Sequence, residues 1–363
     1  MEKKIFVKDL EVKESVNSAF MVKYIALMEA KDGKNYLNVI LTDKTGDIEA
    51  RKWNDAEDIL NTIKKGDFVV VDGKVNYYQN RFQIIIKSIT KIDAEGMNEL
   101  DFIASSKNPP DEMFDSLIQI VEEVTDVYIK DLLKMVLFDS EIQKRVKKWS
   151  AAKTVHHAYQ GGLLEHILSC AKLAKTLADH YGANFNYVIA GAILHDIGKI
   201  YELSDGPMIE YTEEGKLVGH IVKAAELIDR FTYKIQNFPF QVKLHLKHIV
   251  LSHHGEIAYG AVQLPMTSEA FLVHFIDLID SKMNSVMQAK RSDQLAGHWS
   301  GYIKHLDRMI FKDELPSFLN HIEVPLEQED VVQKVKLDKV PKHHDIPLKQ
   351  NLAEQLKGFR PKE

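Results

Sequence analysis

Histidine and aspartate side chains recur down the second half of this chain at positions suited to holding metal: His166, the pair His195 and Asp196, His220, the pair His253 and His254, and Asp277. Imidazoles and carboxylates are the donors that bind borderline and hard divalent ions such as Zn, Fe and Mn. The steps from His166 through His195, His220 and His253 to Asp277 are 29, 25, 33 and 24 residues. Each is about one helix plus a turn, so each ligand can come from a different helix facing one pocket. Asp196 directly follows His195, so its carboxylate can bridge two ions while its neighbour binds one. The pattern reads as a two-metal hydrolase, in which cations about 3.5–4 Å apart activate a water and clamp both oxygens of an in-line displacement at phosphorus. No side-chain nucleophile is then required.

The local contexts agree. Gly161 and Gly162 open the helix that carries His166, and Val218-Gly219 precede His220 at the start of another. His195-Asp196 follow the apolar run Ala192-Ile193-Leu194, and Asp277 interrupts Phe275-Ile276 and Leu278-Ile279. An unpaired carboxylate buried in such surroundings costs several kcal/mol, and a metal removes that cost. His253-His254 end a helix before Gly255, a C-cap residue. With 16 histidines in the chain, some would sit near helix ends by chance, and any one alone is more often structural. The joint pattern is what points to metal. Lys199, one turn beyond Asp196, could neutralise a phosphate oxygen or simply be a solvated helix-end lysine. His157 could reach substrate or orient His166. The Asp-x-x-Asp spacing leaves both Asp277 and Asp280 open as ligands.

Helical periodicity supplies the scaffold, over Met113–Val124, Tyr128–Lys148, Leu163–His180, Tyr187–Ile200, Gly219–Phe231, Gln241–His254 and Ser268–Lys290. These predict an all-α domain of about seven helices over 113–320. Residues 1–95 have another character. Alternating, β-branched runs at Asn35–Leu41, Ile48–Trp53, Phe68–Val71 and Phe82–Ile86, turn signals at Asp43–Asp47 and Gln79-Asn80, and a short helix bearing Ile59, Leu60 and Ile63 predict a five-stranded OB barrel. In such a barrel, Trp53, Tyr77 and Phe82, interleaved with Lys74 and Arg81, suit base stacking with phosphate contacts; some of these aromatics would instead fill the small core. Tyr36, Tyr78, Arg51 and Lys52 belong to the same set. A polar stretch, 96–112, reads as a linker, with Pro110 placed for the first position of a helix. Residues 321–363 read as a charged, weakly ordered extension; 331–363 hold eight Lys or Arg against four Asp or Glu.

Composition narrows the classes. Hydrophobic content of 45% with 28% charged residues is ordinary for a soluble protein. A net charge of −6 means that any nucleic-acid surface must be local. One cysteine, Cys170, cannot form an intrachain disulfide, which fits a reducing cytoplasm. The N-terminus lacks a signal-peptide core, and no stretch has the ~20 apolar residues needed to span a bilayer.

The ligand series resembles that of the HD-domain metal-dependent phosphohydrolases, with His195-Asp196 as the signature pair and His220, His253 and His254 as in the binuclear subset. That resemblance implies one ion on His166, His195, Asp196 and Asp277 and a second on Asp196, His220, His253 and His254. It selects Asp277 over Asp280, which then supports a ligand. With the barrel in front, and with Leu41–Ala50, Leu251–Gly255 and Asp280–Asn284, the chain resembles the YhaM-type 3′–5′ exoribonucleases of Gram-positive bacteria over roughly residues 1–315. The resemblance implies two divalent ions, Mn²⁺ foremost with Fe, Co or Zn as substitutes, and removal of nucleoside 5′-monophosphates from the 3′ end of single-stranded RNA, with single-stranded DNA and a homo-oligomer also open. Two rivals stand beside it: an HD phosphodiesterase of cyclic or signalling nucleotides, and an RNA-binding scaffold with a vestigial site.

Overall fold

The computed structural model describes residues 3–315, apart from 79–80, 94, 96, 207 and 294–296. The expected turn at Gln79-Asn80 and the expected extension at 321–363 lie outside the described residues.

Five strands come first: β1 (Ser15–Glu29), β2 (Asn35–Asp43), β3 (Gly46–Lys52), β4 (Phe68–Tyr78) and β5 (Arg81–Ile92), with helix α1 (Ala56–Thr62) between β3 and β4. They close into a barrel in the order β1-β2-β3-β5-β4, with β3 and β5 parallel and the other pairs antiparallel. This is the predicted OB barrel. Period-two burial explains it: Leu37, Val39 and Leu41 of β2 point inward onto Phe20, Val22, Val69 and Ile84, while Tyr36, Asn38 and Ile40 face out. Gly73 sits at a register shift between β4 and β5, where a Cβ would lie 2.6 Å from the Ile85 carbonyl oxygen. Lys3 ties the N-terminus to the barrel through a buried ion pair with Asp43 at 3.0 Å and a hydrogen bond to the Ala19 carbonyl.

The second half is helical, as predicted: α2 (Pro110–Glu122), α3 (Val127–Leu137), α4 (Ser140–Lys148), α5 (Gly162–Tyr181), α6 (Phe185–Leu194), α7 (Lys199–Glu202), α8 (Glu213–Leu217), α9 (His220–Thr232), α10 (Phe240–Ser252) and α11 (Ser268–Ser292). Two predicted helices divide. The run over Tyr128–Lys148 breaks because Asp139 caps a new helix, its side chain accepting from the Ile142 N–H. The run over Tyr187–Ile200 stops at Leu194, and the turn His195–Gly198 carries His195 and Asp196 off the helix. The short α8 has too few residues to show a period. Leu117, Leu133, Ile167, Ile193, Ile228 and Val273 belong to one continuous core that holds these helices. Truncating one of these leucines or isoleucines to alanine should cost about 2–5 kcal/mol.

The polar segment expected to be a linker is anchored rather than free. Phe102 is buried, with its ring edge-on to Phe68 at 4.9 Å, and Asp101 pairs with Lys44 at 2.7 Å. Farther along, Glu210 pairs with both Lys65 of the barrel half and Lys153 of the helical half.

Candidate metal centre

All seven predicted ligands converge. His166 stands on the second turn of α5, whose N-cap Gly161 has φ +77° and is followed by Gly162, where a Cβ would strike the His157 carbonyl oxygen at 2.1 Å. His195 and Asp196 follow α6, His220 begins α9, His253 and His254 follow α10, and Asp277 projects from α11.

Two groups form around Asp196. Its Oδ2 lies 3.2 Å from His166 Nε2 and 3.5 Å from His195 Nε2, while Asp277 Oδ1 lies 3.4 Å from His166 Nε2. Its Oδ1 faces the other way, 3.5 Å from His220 Nε2 and 3.7 Å from His253 Nε2. His254 completes that second group. The two oxygens of one carboxylate therefore address two separate donor sets.

The histidines are aimed from behind. Each Nδ1 donates to a fixed acceptor: His166 to Asp280 at 2.7 Å, His195 to the Ala192 carbonyl at 3.0 Å, and His220 to Glu202 at 2.9 Å. His253 donates to the Val250 carbonyl at 2.7 Å and His254 to the Tyr259 carbonyl at 2.9 Å. This tautomer leaves every Nε2 a bare lone pair pointing inward, the usual second layer of a histidine metal site. The Nε2 atoms of His166 and His195 lie 3.2 Å apart. With both protons on Nδ1, neither can donate to the other, so the contact calls for a cation between them.

Three buried atoms, Asp196 Oδ1, His220 Nε2 and His253 Nε2, lack a hydrogen-bond partner. Buried polar atoms are nearly always satisfied, and these three face one another. The donor set and its orphaned atoms fit divalent metal.

Electrostatics point the same way. Burial would raise the pKa values of Asp196 and Asp277, but Lys199 and His195 acting on Asp196, and His166 and His195 acting on Asp277, hold both well below the carboxylate range. Burial and the neighbouring His195 and His254 hold His253 well below the ordinary histidine value. Burial also lowers His166, yet the carboxylates of Asp196, Asp277 and Asp280 outweigh it and hold His166 well above that value. A proton on Nε2 and a bound cation are therefore alternatives at this position, because a ligating histidine must be neutral. Cys170 Sγ lies 3.7 Å from His166 Nδ1, but burial pushes the thiol up to about 11, so it remains a neutral packing group.

The remaining expectations divide. Lys199 is buried, not solvated, and its Nζ lies 2.5 Å from Asp196 Oδ2. His157 is buried at φ +49°, bonds Asp280 at 2.9 Å and lies with its ring 5.4 Å from that of His166. Asp280 also takes a hydrogen bond from Ser169. His156 points at the site with its ring 5.9 Å from that of His166, and burial together with Lys199 lowers it to about 3. Glu202 was missed, because a glutamate six residues beyond Asp196 on a one-turn helix carries no periodic or motif signal.

On the barrel, Trp53 stacks against Tyr36 at 4.9 Å, and the Arg51 guanidinium lies 5.3 Å from the Tyr36 ring and 5.7 Å from that of Tyr78. Tyr77 and Phe82 form a separate cross-strand edge pair at 5.6 Å, with Phe82 packed on the barrel core. Arg81 turns toward Glu49 at 3.8 Å, Lys74 is exposed opposite Ser15 and Ile85, and Lys52 is buried.

A helical domain carrying a His-Asp centre of this kind, behind an OB barrel, defines an HD-domain protein of nucleic-acid-binding architecture. Residues 163–282 match the model of the HD domain, and residues 21–92 match that of the OB-fold nucleic acid binding domain. Curated relatives match most of the chain. The 3′-5′ exoribonuclease YhaM of Bacillus subtilis is 34% identical over 77% of this chain and 88% of its own length. The protein of the same name from Listeria monocytogenes is 31% identical over 86% and 98%. The chain belongs to the YhaM family of 3′–5′ exoribonucleases.

Proposed function

We propose that this chain is a metal-dependent 3′–5′ exoribonuclease that removes nucleoside 5′-monophosphates from single-stranded RNA, with single-stranded DNA as a secondary substrate. The activity in the names of its relatives supports the reaction class. The observation that carries the mechanism is the split carboxylate of Asp196, whose two oxygens face different histidine sets. On this reading His166, His195, Asp196 and Asp277 hold one ion, and Asp196, His220, His253 and His254 hold the other. Mn²⁺ suits the nitrogen and oxygen donors, as do Fe, Co and Zn. When bound, such a pair lowers the pKa of water and offsets charge developing on the phosphoryl oxygens.

The chain's own groups supply the rest. Lys199 fixes the rotamer of Asp196 and places a positive charge beside the reacting phosphate. Asp280, held by His157 and Ser169, keeps the lone pair of His166 directed inward, as Glu202 does for His220. The buried helices exclude bulk water from the back of the site. Trp53, with Tyr36, Arg51 and Tyr78, offers bases a stacking surface on the barrel, and Lys74, Tyr77, Arg81 and Phe82 extend the nucleic-acid surface. Among the described residues no helix is long and apolar enough to cross a membrane, and a cytoplasmic site of action is part of the proposal.

An RNA of about 20 nucleotides labelled at either end tests the reading. With Mn²⁺, the 5′ label should give a ladder shortening one nucleotide at a time and the 3′ label should go straight to mononucleotide. Intact RNA alongside hydrolysed cyclic dinucleotides would overturn it.

A further inference from the structure

A cleft of about 830 Å³ opens between the barrel and the helices. Its lining is basic: Lys23, Lys44, Lys65, Lys107, Lys153 and Arg291. Lys23 and Lys44 pair with Asp47 and Asp101, and Lys65 and Lys153 share Glu210. Lys107 and Arg291 have no ion pair among the described residues, and both are exposed. In a chain of net charge −6, such a local excess of cations is a binding feature rather than a compositional one.

Two walls join this cleft to the metal centre. One is helix α11. Asp277, Asp280, Asn284, Gln288 and Arg291 follow at steps of three and four, so they share one face. At 1.5 Å per residue, that face runs about 21 Å from the metal-site carboxylates to the arginine in the cleft. The other wall is the loop 153–159. Lys153 and Tyr159 line the cleft, while His156 and His157 of the same loop face the centre. Tyr159 and Asn284, both cleft residues, hold His157 by its ring nitrogen and its backbone N–H.

The barrel continues the track. Ile40 and Thr42 of β2 line the cleft, and the outward row Thr42, Ile40, Asn38, Tyr36 leads to Trp53 and Arg51. At ~3.3 Å per residue this row adds about 20 Å, within reach of the ~4–16 nucleotides that OB folds engage.

We propose that this cleft is the route of single-stranded RNA to the metal centre: the 3′ end at Asp196, upstream phosphates on Lys107 and Arg291, and bases farther upstream along β2 to Trp53. The inference rests on the exoribonuclease reading and adds the path and polarity of the strand.

Binding of a 5′-fluorescein RNA of about 20 nucleotides to EDTA-treated protein, followed by anisotropy between about 50 and 200 mM salt, tests it. Lys107→Glu with Arg291→Glu should weaken binding about tenfold or more. The log–log salt slope should become shallower by about 1.4, since each phosphate contact on a single strand contributes about 0.7. Lys144→Glu with Lys172→Glu makes the same change in net charge away from the cleft and should leave the slope alone. An unchanged slope in the first pair, with binding still weakened by Trp53→Ala, would overturn the path while leaving the exonuclease intact. Wild-type protein that binds no RNA would overturn the exoribonuclease reading itself. Should the cleft variant melt early, 4-thiouridine near the 3′ end of RNA bound to wild-type protein serves instead. Cross-links in 153–159 or 280–291 support the path, and cross-links confined to other surfaces overturn it.

Discussion

Glu202 Oε1 accepts from both the ring Nδ1–H and the backbone N–H of His220, at 2.9 and 3.2 Å. One carboxylate thus starts helix α9 and selects the tautomer that turns Nε2 of His220 toward Asp196. Glu202→Ala should lower affinity at the second metal position by about 10–100-fold, read by calorimetric Mn²⁺ titration, and Glu202→Gln should restore part of it through the amide oxygen. Equal affinity in all three proteins would remove Glu202 from this role.

Asp196 and Lys199 form a buried pair whose members cannot be removed singly without penalty. Metal-free Asp196→Asn leaves Lys199 buried and unmatched, and should lose about 3–5 kcal/mol in urea unfolding. Adding Lys199→Met should recover much of that stability but no metal binding. A double variant no more stable than the single would show that Lys199 is not the source of the cost.

Gly198 is required for close approach. A Cβ there would lie 2.0 Å from the His220 carbonyl oxygen and 2.8 Å from the Ala224 nitrogen. Gly198→Ala should push α9 away, at a cost of about 1–3 kcal/mol, and weaken metal binding with it. Thermal melting with and without Mn²⁺ checks both. A normal Mn²⁺-dependent rise in Tm would contradict the expectation.

Glu210 is held at about 2, below its ordinary 4.5, first by hydrogen bonding to Lys153 and then to Lys65. The charged form is favoured in the folded protein, so its contribution is complete above about pH 4.5 and drains away as pH falls toward 2. Acid titrations of wild-type and Glu210→Gln protein should therefore differ in stability near neutrality and converge across that window. Curves that stay parallel to pH 2 would show that this bridge between barrel and helices carries no stability through the charge of Glu210.

The legible parts of the sequence were those governed by short-range rules. Alternation over Asn35–Leu41 and the 3.6-residue period over Ser268–Lys290 identify a strand and a helix because one face of each must be buried. Carboxylates inside apolar runs, as at Asp196 and Asp277, announce a compensating cation. The break at Asp139 was harder to read, since capping competes with an otherwise continuous helical period. Glu202, the buried state of Lys199 and the partnering of Tyr36 with Trp53 left no mark in the linear pattern.

By itself, then, the sequence determined the barrel, the helical domain, the set of histidines and aspartates that converge, and their likeness to a nuclease family, because residue type and period decide these locally. Only the tertiary structure decided that Asp196 divides its two oxygens between two histidine sets, that the five histidines around it turn Nε2 inward, and that a cleft lined by lysines and Arg291 lies between the barrel and the helices. Those relations depend on contacts between residues far apart in the chain, and packing of the two halves sets them.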